Sequence, residues 1–119
     1  MEYIKNPMKI EDESFKIIQS IIDEQRENYQ FKNEFEEAII KSCIHTSADF
    51  DYLDNLKISE DFQATITKAL KNKADIYTDT NMALSGINKS ALSKLGISVK
   101  CYVAEPKTAE IAKEKGITR

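Results

Sequence analysis

The sequence predicts an α/β protein, with helices in three layers (α/β/α) around a mainly parallel sheet. Two observations carry this. From residue 56 onward, short runs fit for strands alternate with helix-length amphipathic stretches, the pattern of a parallel sheet with right-handed crossovers. The boundaries between these stretches hold capping side chains and glycine stops, which marks separate elements rather than one continuous helix. With 119 residues the chain has room for one buried core, so a single domain over 1–119 is expected.

Each element follows from local pattern. Glu11 to about Glu27 carries Phe15, Ile18 and Ile22 at helical steps, with Ile17 and Ile21 widening the apolar stripe. A second helix starts near Asn33, whose side chain caps the free amides while Glu36 reaches back, and its expected buried face is Phe35, Ala38, Ile39 and Ser42, continuing to His45. Asp49 to Asn55 breaks the pattern and reads as a loop. Leu56 to Ile58 is expected to be a short strand, Ser59 an N-cap, and Glu60 to about Asn72 a helix with Phe62, Ile66, Ala69 and Leu70 inward. Asp75 to Thr78 is the next strand. Asn81 to Leu95 is helical, interrupted at Gly86 and restarted at Asn88, and Gly96 supplies a left-handed stop. Val99 to Val103 is a third strand, and Pro106 opens a last helix that Gly116 closes.

Composition narrows the function classes. Seventeen basic and twenty acidic residues leave a net charge of −3 with the signs interleaved, which argues against nucleic acid as a partner. No run has the length needed to cross a bilayer or the look of a secretory signal, so no membrane role is expected and the cytoplasm is the expected location. Cys43 and Cys101 lack the spacing of a disulfide framework or a zinc site and read as small core residues; no resident metal is expected.

Chemistry centres on His45, the one histidine of the chain. Its side-chain type exchanges a proton near neutrality, with an ordinary pKa of roughly 6.5. A histidine at the end of an apolar helix face also fits a hydrogen-bonded core residue. Asp49 lies one helical turn further, where its carboxylate can orient the imidazole if the helix persists; otherwise Asp49 and Asp51 belong to a solvated loop. Cys43 does not share a ligand with His45, since a two-residue helical step separates side chains by about 200°. Thr78, Asp79, Thr80 and Asn81 follow the second strand, at the sheet end where ligands gather in α/β proteins. The same four residues fit a plain N-cap turn.

Three stretches resemble one family closely. Ile44-His45-Thr46-Ser47-Ala48-Asp49-Phe50-Asp51 looks like the catalytic segment of the precorrin-8X methylmutases. Tyr77-Thr78-Asp79-Thr80-Asn81-Met82 with Gly86-Ile87-Asn88 looks like their second signature, and Cys101-Tyr102 to Pro106 with Gly116-Ile117-Thr118-Arg119 like their third. Ile10 to Ile18, with Glu13-Ser14-Phe15, is similar to the family's opening helix, and the cobalt-dependent, anaerobic-pathway branch is the nearer one. The resemblance implies an isomerase of cobalamin biosynthesis that moves a methyl group from C11 to C12 of a tetrapyrrole, giving hydrogenobyrinate or cobyrinate. It implies that His45 is the acid, and that Ser14, Ser42, Thr46, the turn from Thr78 to Met82 and Arg119 contact the substrate. No cofactor is implied; cobalt, where present, arrives inside the substrate. The family's habit of pairing implies a homodimer.

Two departures qualify the resemblance. Ser42 stands where the family usually has arginine, one helical turn before His45, which removes a bidentate carboxylate clamp worth roughly 1.5–3 kcal/mol. Lys41, about 100° round the helix, compensates in part; Lys41, Lys89, Arg119 and helix N-termini are the expected positive ends for a carboxylate-rich substrate. Family members also continue past the Thr118-Arg119 match, so the sheet is expected to be incomplete in this chain, with a carboxyl-terminal portion, a second polypeptide or a symmetry mate supplying the rest. Two rivals remain. One is a corrinoid-binding fragment without catalysis. The other is a signalling receiver domain phosphorylated on Asp79, which lacks the acidic pair after a first strand that would hold magnesium.

Overall fold

Asn6 opens the first helix of the computed structural model, which describes residues 6–118. Its side chain accepts a hydrogen bond from the Met8 amide at 3.0 Å, and Pro7 sets the backbone of the first turn. Helix α1 therefore spans Pro7–Gln25, starting ahead of the expected Glu11. Helix α2, Glu34–Ser47, begins where expected: Asn33 Oδ1 accepts from the Glu36 amide at 2.9 Å. The Glu36 carboxylate reaches back to the Lys32 amide at 2.8 Å, one residue beyond the usual partner of a capping box.

The chain divides into two compact units, Met1–Glu60 and Asp61–Arg119. In the first, Ile18, Ile22, Ile40, Ile44 and Leu53 form the buried core, with Phe15, Tyr29, Phe31, Phe50, Tyr52 and Leu56 packed around it. The buried face of α2 thus differs from the expected one. Ile40 and Ile44, each 1% exposed, meet Ile18 and Ile22, whereas Ala38 and Ser42 are exposed and Phe35 and Ile39 half-buried. Two apolar rows run along α2, and packing against α1 selects the aliphatic row that interlocks with its isoleucines. The same rotation buries Lys41, whose ammonium pairs with Glu37 and sits 5.5 Å from the centre of the Phe31 ring. Ile17, expected to widen the buried stripe, is 54% exposed.

Ala48 takes a left-handed backbone, φ 57°, and ends α2 with its amide bonded to Ile44 O at 2.7 Å. A turn follows, closed by Asp49 Oδ1 accepting from the Asp51 amide at 2.9 Å, and then one turn of helix, α3, Tyr52–Asn55, within the expected loop. Arg26 grips Asp54 through two hydrogen bonds of 2.7 and 2.5 Å, and the Tyr29 hydroxyl donates to Leu53 O at 3.2 Å. Leu56 to Ile58 does not form the expected strand: among the described residues it has no pairing neighbour, and Leu56 instead packs on the helical core.

In the second unit α4 spans Phe62–Lys71, with Asp61 rather than Ser59 at the cap position. None of its residues is buried; Phe62 and Ile66 stay 37% and 36% exposed, and Ala69 and Leu70 are half-buried. Strands β1, Ile76–Tyr77, and β2, Val99–Lys100, pair in parallel, Ile76 opposite Val99 and Tyr77 opposite Lys100. Two of the three expected strands are therefore present, and β2 is shorter than the expected Val99 to Val103. Between them α5, Asn81–Gly86, and α6, Lys89–Leu95, are separated at Ile87 and capped by Thr80 and Asn88 as the spacing predicts. Gly96 (φ 67°) and Gly116 (φ 62°) supply the left-handed stops of α6 and of α7, Pro106–Lys115. Leu92, Ile97 and Ala112 are the buried residues of this unit among those described. Among the described residues no helix is long and apolar enough to cross a membrane.

Candidate active site

His45 lies in the last turn of α2, next to fully buried Ile44, and is itself exposed. Ile44 anchors the backbone while the neighbouring position, about 100° round the helix, opens to solvent. The imidazole lines a cleft between α1 and α2 with a volume of about 230 Å³, together with Ser14, Ile17, Ile18, Ile21, Ala48 and Phe50. The cleft is mainly apolar, with the His45 ring and the Ser14 hydroxyl as its polar side chains, so it suits a flat organic ring with a polar edge. Among the described residues no hydrogen bond is made to the imidazole; its ring contact is Phe15, edge to face, with centroids 6.1 Å apart and planes at 67°.

The other expected residues of this segment are placed differently. Because α2 stops at Ser47, Asp49 does not continue the helical face, and one of its carboxylate oxygens closes its own turn on the Asp51 amide instead of orienting His45. Ser42 and Thr46 are exposed, and both hydroxyls donate back one turn, Ser42 to Ala38 O at 2.7 Å and Thr46 to Ser42 O at 2.9 Å. Neither lines the cleft. Lys41, expected as a partial substitute for the missing arginine, is turned to the opposite use: it is buried and held by Glu37.

In the second unit, Thr78, Asp79 and Thr80 make the turn after β1, and Asn81 and Met82 open α5, as the spacing predicts. Thr80 is its structural member, Oγ1 accepting from the Ala83 amide at 3.1 Å as the cap of α5. Asp79 and Asn81 are exposed and Met82 is 82% exposed. Thr78 Oγ1 is sealed from solvent with no hydrogen-bond partner among the described residues, an uncommon state for a buried hydroxyl. Lys89 is exposed and borders a second cavity of about 380 Å³ with Leu84, Leu92, Ser93, Ile97 and Val99. Arg119 lies outside the described residues. Among the described residues no cluster of histidine, cysteine or carboxylate side chains is arranged to hold a metal ion.

Of the site residues named from the sequence, the structure brings His45 and Ser14 to one cleft, whose wall also includes Ile17, Ile21, Ala48 and Phe50. Ile17 and Ile21 were visible as a widened stripe, and the turn at Ala48 that brings Phe50 round carried no glycine to announce it.

Comparison with known proteins adds independent findings. The family model described as precorrin-8X methylmutase matches residues 9–119. The cobalt-precorrin-8 methylmutase of Salmonella typhimurium is 49% identical over 119 residues, which is 100% of this chain and 57% of that protein. The cobalt-precorrin-8 methylmutase of Leptospira interrogans is 36% identical over 110 residues, 92% of this chain and 48% of that protein. Among solved structures, the precorrin-8X methyl mutase of Thermus thermophilus superposes with a TM-score of 0.71 at 30% identity, covering 90% of this chain and 50% of that one. The chain spans about half the length of the curated relatives it matches.

Proposed function

From the premise that this chain belongs to the precorrin-8X methylmutase family, we propose that it carries the acid half of an isomerase site, in which a tetrapyrrole undergoes a methyl shift from C11 to C12. The observation that supports this most is the exposed imidazole of His45 at an apolar cleft, with no hydrogen bond to either ring nitrogen among the described residues. Protonated His45 gives its proton to the macrocycle and leaves the migration terminus electron-poor. The methyl group then moves with its bonding pair, so that its bond to C11 breaks as its bond to C12 forms, and the proton returns to the imidazole. Atoms and electrons balance without an added reactant, so no cofactor is required, and any cobalt travels in the substrate. General acid help of this kind is worth about 100- to 10,000-fold, the remainder coming from holding the ring in its reactive shape.

Ser14 faces the same cleft and offers a hydroxyl to a peripheral carboxylate or amide. Ser42, Thr46, Thr78, Asp79, Thr80, Asn81, Met82 and Arg119 are proposed as further substrate contacts in the whole enzyme. A cleft of about 230 Å³ is smaller than the roughly 300–1,000 Å³ of a complete small-molecule site, so it accommodates part of a macrocycle. The remainder is proposed to come from a carboxyl-terminal portion or from a second copy in a homodimer, in the cytoplasm.

An absorption titration with cobyrinate or hydrogenobyrinate, followed by turnover of the precorrin-8 substrate, tests the proposal. The parent chain is expected to shift the product's bands to the red and to isomerise substrate, and His45→Ala to keep the colour shift while losing turnover. Binding without turnover in the parent selects the non-catalytic corrinoid-binding reading; where both are absent, the titration is repeated with a carboxyl-terminal portion supplied, and absence of both there rejects the proposed activity.

A further inference from the structure

His45 carries the proposed chemistry, yet it is exposed and has no hydrogen-bond partner among the described residues. Histidines that act as acids or ligands are usually oriented by a carboxylate or carbonyl on the second nitrogen. Asp49, which the sequence offers for that task, has an oxygen engaged in closing its own turn. An imidazole left to its rotamers spends most of its time away from a productive geometry, and misplacement by about 1 Å costs on the order of 100-fold in rate.

Among the described residues, an aromatic ring contact with Phe15 restricts the imidazole. Phe15, on α1, lies against the hydrophobic core on one side, so its own ring is held by packing. On the other side it meets the imidazole edge to face, centroids 6.1 Å apart and planes at 67°. That separation is inside the range of roughly 4.5–7 Å at which aromatic pairs attract beyond simple burial. The next residue along, Ser14, lines the cleft that His45 also lines. One turn of α1 therefore carries both the hydroxyl of the cleft and the ring that steadies the acid.

We propose that Phe15 is the positioning residue of His45, an aromatic prop that takes the place of the hydrogen-bonded orienting group and leaves both imidazole nitrogens free for the substrate. The proposal rests on the reading of His45 as the acid.

The single histidine makes the test clean, since one imidazole spin system is present in the whole chain. In the parent, nuclear Overhauser contacts between Phe15 and His45 ring protons are expected, with His45 signals displaced by the ring current. Phe15→Leu keeps an apolar side chain but removes the ring. It is expected to shift the His45 signals toward free-histidine positions, raise their mobility, and lower kcat about tenfold with KM within about twofold. Phe15→Tyr restores the aromatic contact and is expected to recover both the spectrum and kcat. Absence of the Overhauser contacts in the parent overturns the proposal without any variant having to fold. So does an unchanged His45 spectrum in a folded Phe15→Leu chain, whatever its catalytic result. Undiminished turnover in His45→Ala overturns instead the reading on which the proposal stands, so the two failures are told apart.

Discussion

Ser42 stands one helical turn before His45, exposed, with its hydroxyl bonded back to Ala38 O. An intrahelical bond of this kind is readily given up, so the position tolerates a longer side chain at a cost within about 0.5 kcal/mol. Ser42→Arg is therefore expected to fold normally and to tighten corrinoid binding by about tenfold or more, the worth of one charge-assisted hydrogen bond to a peripheral carboxylate. An absorption titration measures it, and unchanged affinity discards the idea that Ser42 weakens the pocket. Ser14→Ala is expected to weaken the same binding by about three- to tenfold, the scale of one neutral hydrogen bond. At this scale residue types were legible in the sequence: one histidine, the Ser14 hydroxyl on the first helix, one departure at Ser42. The partner of Asp49 was not, because its carboxylate had the Asp51 amide within its own turn, nearer than the His45 ring.

Among the elements, the α1–α2 pair is where stability and site geometry meet. Ile44 is 1% exposed in the core, and the next residue is His45. Ile44→Ala is expected to cost about 2–5 kcal/mol, read as a lower midpoint in denaturant unfolding, through lost burial and the cavity left behind. Asn33→Ala removes the cap of α2 and is expected to cost about 1 kcal/mol in the same measurement. Arg26 and Asp54 join the end of α1 to α3. The hydrogen bonds from Arg26 hold the Asp54 carboxyl below the usual carboxylate range, and this exceeds the opposing effect of desolvation. A depressed carboxyl favours the folded chain once the unfolded group is ionised, so the contribution is complete above about pH 4 and fades as pH falls through the lower folded value. Asp54→Asn is accordingly expected to lower Tm near pH 7 and to converge with the parent in strong acid. A constant difference at every pH contradicts this account of the pair.

For the whole molecule, the second unit poses the question of independence. A segment of about sixty residues whose buried side chains are Leu92, Ile97 and Ala112 has a small core, and units of that size are marginal on their own. That unit is therefore expected to lose structure at lower denaturant than the first, giving two steps in far-ultraviolet circular dichroism; one coincident transition by circular dichroism and tyrosine fluorescence supports instead the single-domain reading. Large apolar side chains remain exposed in both units, among them Ile17 at 54%, Met82 at 82% and Ile117 at 61%. Sedimentation velocity is expected to show a species heavier than the 13.6 kDa chain. A monodisperse monomer that turns over substrate unaided contradicts the proposed second copy or carboxyl-terminal portion.

Local signals sufficed for much of this protein. Asn33, Thr80, Asn88, Gly96 and Gly116 set helix ends through bonds and backbone angles that span only a few residues, and each is found where the sequence indicates. Parallel pairing of β1 with β2 was also readable from the strand–helix alternation. The buried face of α2, the failure of Leu56 to Ile58 to become a strand and the exposure of His45 were settled at longer range. Helix α2 has two apolar rows of similar strength, and a three-residue extended run becomes a strand only with a neighbour to share its hydrogen bonds. The isoleucines of α1 chose the Ile40–Ile44 row, and that rotation left His45 at the cleft, with the Phe15 ring beside it.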